Sequence, residues 1–301
     1  MPKIAYIDKR FRSATLEVID TANGIITEYS EQGYDLTLRQ LYYQMVSRDI
    51  IPNSQKEYDK LGRTISDARM AGLIDWDAIV DRTRGLKGNN HWNSPAGIMD
   101  SVAHSYRIDK WKDQPNRVEI WIEKDALVGV ISGVCQQLDI DYFSCRGYTS
   151  QSEMWTAGQR LYGYIDAGQR PIILHLGDHD PSGIDMTRDV TDRLALFMGG
   201  TKVQRIALNY DQVEQYSPPP NPAKTTDTRA ADYIELHGHS SWELDALDPA
   251  TISQLIESTV KQYRDDGLWN AAAKRETQQK ELLEQASNDW NDVVDMLRGK
   301  S

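Results

Sequence analysis

The chain of 301 residues carries 34 Lys and Arg against 45 Asp and Glu, a formal net charge of −11, with 40% hydrophobic and 26% charged residues. That balance supports a buried core and excludes wholesale disorder or a collagen-like repeat, and no apolar run approaches the roughly 18 residues of a membrane span. Two cysteines, Cys135 and Cys145, are too few for a disulfide framework or a structural zinc site; with no apolar stretch of a signal peptide at the start, they predict a cytoplasmic protein with no membrane partner.

Charge is unevenly spread. Residues 1–90 hold 13 basic and 13 acidic side chains, so the rest of the chain carries the whole acidic excess. A polyanion is expected to prefer the first third, and an acidic remainder suits a site that gathers divalent cations.

In chain order, residues 36–75 predict two amphipathic helices. Leu38, Leu41, Tyr42, Met45 and Val46 follow helical spacing behind Thr37, a suitable N-cap. Pro52 and Asn53 break the pattern, and Tyr58, Leu61, Ile65 and Ala68 resume it as far as Gly72. An extended, wing-like segment over 73–81 then completes the parts of a winged helix-turn-helix. On the second helix Lys56, Lys60 and Arg63 form a basic line for duplex phosphates, interrupted by Asp59 and Asp67.

A Gly-, Asn- and Pro-rich linker is expected over 84–97. Beyond it, strands at 117–124, 140–145, 171–176 and 202–210 alternate with helices at 125–139, 152–168 and 182–198, predicting an α/β fold with a parallel sheet covered by helices. Residues 217–229 read as a Pro-rich connection. The tail is helical over 271–298, with Leu282, Leu283, Trp290, Val294 and Leu297 on one side. The expected domains are 1–90, 98–250 and a helical extension over 251–301.

The run LHLGDHDPSGID places Asp178 and Asp180 just past the carboxyl end of an apolar strand, where open parallel sheets build their sites. Two carboxylates at i, i+2 beside Gly177 and Gly183 suit one hard cation. Mg²⁺ takes few carboxylates and leaves positions for phosphate oxygens. Asp185 and Asp189 are near enough in sequence to extend the cluster. Taken alone, the run also reads as a solvated acidic turn, as the first half of an EF-hand (opposed by the preceding strand and Pro181), or as a phosphoaspartyl hydrolase motif. Glu123, ending another strand 55 residues upstream with Lys124 beside it, adds a third carboxylate and a cation.

Glu123 at a strand end, followed by Asp178-His179-Asp180 and then Pro-Ser-Gly, resembles the Toprim domain, the metal-binding α/β fold of topoisomerases, primases and some nucleases. Cys145-Arg146-Gly147-Tyr148 and Trp242-Glu243-Leu244-Asp245-Ala246-Leu247 resemble segments flanking that domain in the A subunit of type IIB topoisomerases and in the meiotic double-strand-break transesterase. The resemblance runs from about residue 35 to 250. In that family a winged helix carries the attacking tyrosine in a T-x-R-D-x-x-Y motif. Here Thr37-Leu38-Arg39-Gln40-Leu41-Tyr42-Tyr43 puts Arg39 and Tyr43 on its arginine and nucleophile, with Gln40 in place of the acid.

The resemblance implies an N-terminal winged helix joined to a Toprim domain, and metal-dependent DNA strand cleavage by transesterification. Tyr43 would attack, Arg39 would steady the phosphoryl charge, and Glu123, Asp178 and Asp180 would hold Mg²⁺, with Mn²⁺ as a substitute. Lys56, Lys60, Arg63, Lys124 and Arg146 would contact double-stranded DNA. It also implies a homodimer in which the tyrosine of one protomer meets the partner's acids. The chain has no G-x-x-x-x-G-K-[ST] loop, so ATP-coupled strand passage would need a separate ATPase subunit.

Helical geometry separates the two tyrosines: Tyr42 falls within the apolar stripe and Tyr43 lies off its centre, one turn after Arg39. A phenol of pKa near 10 needs a cationic neighbour or a base to attack at neutral pH, and Arg39 is placed to lower that cost. The alternative is a structural tyrosine at a domain interface. His179, Lys224 and Arg229 are candidate phosphate contacts, and His237-Gly238-His239 reads as a turn. Three rival functions use the same residues: a hydrolytic endonuclease with Tyr43 structural, a catalytically silent DNA-binding factor, and a small-molecule phosphohydrolase.

Overall fold

Both helices expected in the first third form in the computed structural model of the chain, which describes residues 3–80 and 89–299. They are α2 (Leu38–Ser47) and α3 (Gln55–Met70), preceded by α1 (Ser13–Glu31). Thr37 caps α2 as expected. Its Oγ1 accepts from Gln40 N at 3.3 Å while Gln40 Oε1 accepts from Thr37 N at 2.9 Å, so the residue at the motif's acidic position closes a capping box. Ile19, Ile25 and Tyr29 of α1 pack with Leu41, Met45, Leu61 and Ile65 to form this module's core.

Residues 73–80 do not make a wing of paired strands. Asp77 N donates to Asp75 Oδ1 at 2.9 Å, bending the chain, and only an isolated bridge joins Ile79 to Leu36. Asp81 and residues 84–88 of the expected linker lie outside the described residues. The linker's far end is helical instead: Ser94 caps α4 (Pro95–Ser105), with Pro95 in its first turn, a favoured start.

Four parallel strands form the sheet in the order β2-β1-β3-β4: β1 (Asn116–Ile122), β2 (Asp141–Ser144), β3 (Arg170–Leu176) and β4 (Lys202–Ala207). The helices between them are α5 (Val128–Gln137), α6 (Gln151–Asp166) and α7 (Pro181–Met198). Val118, Ile120, Ile122, Leu174 and Leu176 face one core, and Trp121 and Ile173 face a second core with residues of α6 and α7. Because both faces are covered, β1 is buried throughout its centre rather than alternating between core and water. Glu119, on the second face with Trp121, is buried and held by Arg160 Nε and Nη2, each at 2.9 Å.

After β4 come α8 (Tyr210–Tyr216), a short antiparallel pair β5 (Asn221–Pro222) and β6 (Ser240–Ser241), and α9 (Ala230–His237) between these two strands. A single turn over Leu244–Ala246 leads to α10 (Pro249–Lys261), α11 (Asp266–Asn288) and α12 (Trp290–Leu297). Ile252, Ile256 and Val260 of α10 complete the core on one face of the sheet. The α/β body therefore reaches Lys261, and the expected boundary at 250 falls in the first turn of a core helix. No helix among the described residues is long and apolar enough to cross a membrane.

Candidate functional site

The chain leaves β1 toward β2 on one side and reaches β3 on the other, so a crevice opens between the carboxyl ends of β1 and β3. Glu123 follows β1 and Asp178 follows β3, which places both at this crevice. Glu123 Oε2 accepts the Asp178 backbone N–H at 2.9 Å. Burial, then the charges of Asp178 and Asp180, push the Glu123 carboxyl up to about 7. The two glycines are needed for space: a Cβ on Gly177 would lie 2.8 Å from Glu123 Oε2, and one on Gly183 would run into the Asp178 carbonyl.

Asp180 serves first as the N-cap of α7, accepting from Gly183 N at 2.6 Å with Pro181 behind it. Asp178 turns inward, and its Oδ1 accepts the Leu244 backbone N–H at 2.8 Å. That bond exists because His179 and Trp242 pair as a two-residue antiparallel bridge, with N···O distances of 2.8 and 2.9 Å. The bridge docks the 242–247 turn onto the aspartate run.

The consequence is a carboxylate trio different from the expected one. Asp178, Glu243 and Asp245 offer oxygens that all lie within 4.8 Å of one another, a spacing that can hold a metal ion. Glu123 and Asp180 are not members of it: Glu123 Oε2 faces the Asp178 N–H between the strand ends, and Asp180 Oδ1 faces the first turn of α7.

Two cations answer the trio. Lys124 Nζ lies 2.9 Å from Asp178 Oδ1 and 2.8 Å from Asp245 Oδ1, and also pairs with Glu243. Burial opposes its charge, yet Asp245, Asp178 and Glu243 hold its pKa above the ordinary value. Expected as a DNA contact, Lys124 is instead drawn into the site by these carboxylates. Arg39 of α2 closes the far side, with Nε 2.8 Å from Asp245 Oδ2 and Nη2 on Glu243. Burial raises the Asp178 pKa against the pull of Lys124. Glu243 goes the other way, because Lys124 and Arg39 outweigh its burial.

Beneath the site sits Arg205 of β4, half-buried and without a carboxylate hydrogen bond among the described residues. Nη2 donates to the carbonyls of Gly177, at 2.8 Å, and Asp178. Nη1 donates to Gly183 O at 2.9 Å and Thr187 Oγ1 at 3.0 Å. Burial lowers its pKa to about 10 against the supporting charges of Glu123, Asp178 and Asp180.

An open cavity of about 460 Å³ lies between the helical module and the α/β body; Arg39, Tyr43, Asp178, Asp180, Asn221 and Glu243 are among the residues lining it. Tyr42 is core, as the helical spacing predicts. Its hydroxyl donates to Asn53 Oδ1 at 2.9 Å and accepts from Ser54 N at 2.7 Å.

Tyr43 departs from expectation, being only 4% exposed. Helical spacing reports a single apolar stripe for one packing partner, but α2 has two: its own module on one side, and β5 with the 244–246 turn on the other. Residues 40–46 are consequently all buried. Asn221 Nδ2 donates to Tyr43 Oη at 3.3 Å. Burial, followed by Glu243, raises the Tyr43 pKa, and the opposing effects of Asn221 and Arg39 do not reverse it. The expectation that Arg39 makes this phenol more acidic therefore fails in the net, because burial and then Glu243 outweigh its guanidinium, which lies 5.8 Å from the ring centroid and pairs with Glu243 and Asp245.

His179 does not line the cavity. It is buried in a ring cluster with Tyr233, whose hydroxyl is 2.8 Å from Nδ1, and with His237 and Trp242; burial brings its pKa down to about 4. Asp185 is taken by Arg188 and Arg229, and Asp189 by Arg193, so neither extends the trio. Lys224 lines the cavity, whereas Arg229 is held by Asp185 and Asp227. Lys56, Lys60 and Arg63 are exposed along α3, with Lys60 3.1 Å from Glu57. Arg146 is exposed near the crevice, 3.2 Å from Asp125. His237 ends α9 and Gly238 turns the chain with φ 75°.

Sequence reasoning gave no role to Glu243, Asp245, Asn221 or Arg205. Two of the signals were present: Glu243-x-Asp245 repeats the i, i+2 acidic spacing, and an arginine in the middle of a strand bound for burial needs a buried purpose. Neither a scan of protein-family models nor searches of curated proteins and of solved structures finds a match to this chain.

Proposed function

We propose that this protein cuts strands of duplex DNA by tyrosine transesterification, using the helical module of α1 to α3 and the Toprim-like part its motifs resemble. The observation that carries this reading is the one cavity that Tyr43 and Arg39 share with Asp178, Asp180 and Glu243. Tyr43 Oη would attack a phosphodiester, forming an O–P bond as the P–O3′ bond breaks. The phenolic proton would pass to solvent and the leaving 3′ oxygen would take one up. Glu123, with its carboxyl near neutrality, is the group able to hold a proton close by. Arg39 and Lys124 bring positive charge to the phosphoryl oxygens. The exposed lysines and arginine of α3, with Arg146, offer phosphate contacts outside the cavity.

The donor set fits a hard divalent ion: three carboxylates, all oxygen, with no histidine or sulfur. Asp178, Glu243 and Asp245 would hold Mg²⁺ or Mn²⁺, and when bound the ion would supply further charge against the phosphoryl group.

A second reading is favoured by the burial and raised pKa of Tyr43: hydrolysis by an activated water, with the tyrosine structural. The Tyr43→Phe variant separates the two. It gives up one 3.3 Å hydrogen bond, so its fold should lose under about 1 kcal/mol. With supercoiled plasmid and Mg²⁺ or Mn²⁺, quenched in denaturant, the wild-type chain should leave protein-linked 5′ ends and the variant none. Undiminished cleavage by the variant without an adduct establishes hydrolysis instead.

A further inference from the structure

We infer that Asn221 is a positioning residue for the nucleophile, and that a one-way chain of hydrogen bonds through Tyr42 and Asn53 fixes its amide as a donor to Tyr43 Oη. This deepens the transesterase reading and rests on it.

The direction of each bond follows from groups that have no choice of role. The Ser54 backbone N–H can only donate, and it lies 2.7 Å from the Tyr42 hydroxyl. That hydroxyl therefore accepts there and gives its own proton to another oxygen. Asn53 Oδ1, at 2.9 Å, is nearer than Ser54 O or Pro52 O, at 3.2 and 3.5 Å. At the other end of the Asn53 amide the Pro220 carbonyl can only accept, so the atom 2.8 Å from it is Nδ2. The same nitrogen reaches Asn221 at 2.9 Å, and the Asn221 atom that meets it must be the oxygen. Nδ2 of Asn221 is then the end that faces Tyr43, 3.3 Å from Oη. The pairing of β5 with β6, Asn221 opposite Ser241, holds the backbone of this residue as well.

Tyr43 Oη is thereby made an acceptor. Arg39, whose guanidinium lies 5.8 Å from the ring centroid, can likewise only donate. No hydrogen-bond acceptor among the described residues takes the phenolic proton, which is left to the cavity that Tyr43 lines. A donor held on a phenol oxygen favours the phenolate. Asn221 accordingly pulls the Tyr43 pKa down, against the burial and the Glu243 charge that raise it. In the reaction Oη would bond to phosphorus as the P–O3′ bond breaks. The phenolic proton would leave to solvent on the cavity side, and the 3′ oxygen would take one up. The Asn221 N–H would stay on Oη throughout, where charge develops. Bonds that run in one sense along a chain polarise one another, so Tyr42, a core residue by its spacing, contributes through Asn53.

The test replaces the tyrosines by 3-fluorotyrosine, a more acidic phenol, and follows their titration by fluorine NMR in metal-free protein. The Tyr43 signal is the one missing from Tyr43→Phe. Asn221→Leu removes the donor and adds no charge. Asn221→Asp keeps an oxygen for Asn53 but turns an acceptor toward the phenol. In both, Tyr43 should titrate about one unit or more above wild type, each unit being about a tenfold loss of phenolate at neutral pH. Protein-linked 5′ ends from supercoiled plasmid with Mn²⁺ should form about tenfold more slowly near pH 7, and the gap should narrow as pH rises. Asn53→Ala, at a residue with no hydrogen bond to Tyr43, should give a smaller rise, because the Asn221 amide is then free to turn over.

An Asn221 that merely docks β5 onto the helical module predicts lower thermal stability with the Tyr43 titration unmoved, and that result would overturn the inference. So would an unmoved Tyr43 in Asn53→Ala, or a rise in Asn221→Asp without one in Asn221→Leu, which charge alone explains. A wild-type chain that forms no adduct removes the transesterase reading and the role of Asn221 in it. Adducts from wild type, with Tyr43 titrating alike in every variant, remove this inference alone.

Discussion

The backbone N–H of Asp178 donates to Glu123 Oε2 at 2.9 Å, so one carboxylate joins the ends of β1 and β3. Burial, and then its position beside Asp178 and Asp180, raises its pKa from 4.5 to about 7. A carboxyl whose pKa is higher in the fold than in the unfolded chain holds its proton more tightly in the fold. Its penalty on stability is absent below pH 4.5, grows as pH rises, and is complete above about 7. In metal-free protein Glu123→Gln should therefore be stabilising at pH 8, on the order of 1–3 kcal/mol, and the gain should vanish toward pH 5. His175 and His179, with pKa values lowered by burial to about 3 and about 4, act oppositely, costing stability as pH falls below 6.5. The comparison is therefore the variant-minus-wild-type difference in chemical denaturation with chelator present; equal differences at the two pH values would refute the assignment.

Lys124 stands where a divalent ion would compete with it. Replacing it with Met removes an ammonium 2.9 Å from Asp178 and 2.8 Å from Asp245. Calorimetric titration with Mn²⁺ should show binding tighter by about tenfold or more, since 1.4 kcal/mol of relieved competition suffices for that factor. The metal-free variant should lose about 3–5 kcal/mol of stability, because three carboxylates are left with a single cation. Unchanged Mn²⁺ affinity would show that ion and ammonium do not share a site.

Arg205 holds the aspartate loop by its carbonyls, so its removal should be felt by the acids rather than by DNA directly. Arg205→Met leaves the Gly177, Asp178 and Gly183 carbonyls without this donor and is expected to cost about 2–4 kcal/mol. Arg205→Lys keeps the charge but offers fewer donors, and should recover only part of the loss. Thermal unfolding of the two variants beside wild type checks the order; a neutral Arg205→Met would refute the positioning role.

Glycine substitutions offer a contrast internal to the fold. Gly183→Ala drives a Cβ into the Asp178 carbonyl and should cost about 1–3 kcal/mol and weaken Mn²⁺ binding as the loop shifts. Gly24→Ala, at an exposed position of α1 where a Cβ meets nothing within 4 Å, should stabilise by about 0.5–1 kcal/mol and leave the metal titration as it was. Identical Mn²⁺ titrations for the two variants would contradict the steric account of Gly183.

Near-neighbour patterns decided much of this protein from sequence alone. Apolar periodicity placed α2, α3 and the strand–helix alternation, Thr37 announced a helix start, and a continuous apolar strand put Asp178 at the crevice of a parallel sheet. Such signals act over a few residues, through side-chain spacing and unsatisfied helix-end amides, and so they are written locally. The carboxylate trio is not. Leu244 and Asp178 stand 66 residues apart, and only the His179–Trp242 pairing brings Glu243 and Asp245 to the aspartate. The burial of Tyr43 likewise required a second body packed against α2, and the ammonium of Lys124 turned inward because three distant acids converged beside it. Long-range packing chose the partners of these charges, since a buried charge settles with whatever opposite charge the fold delivers.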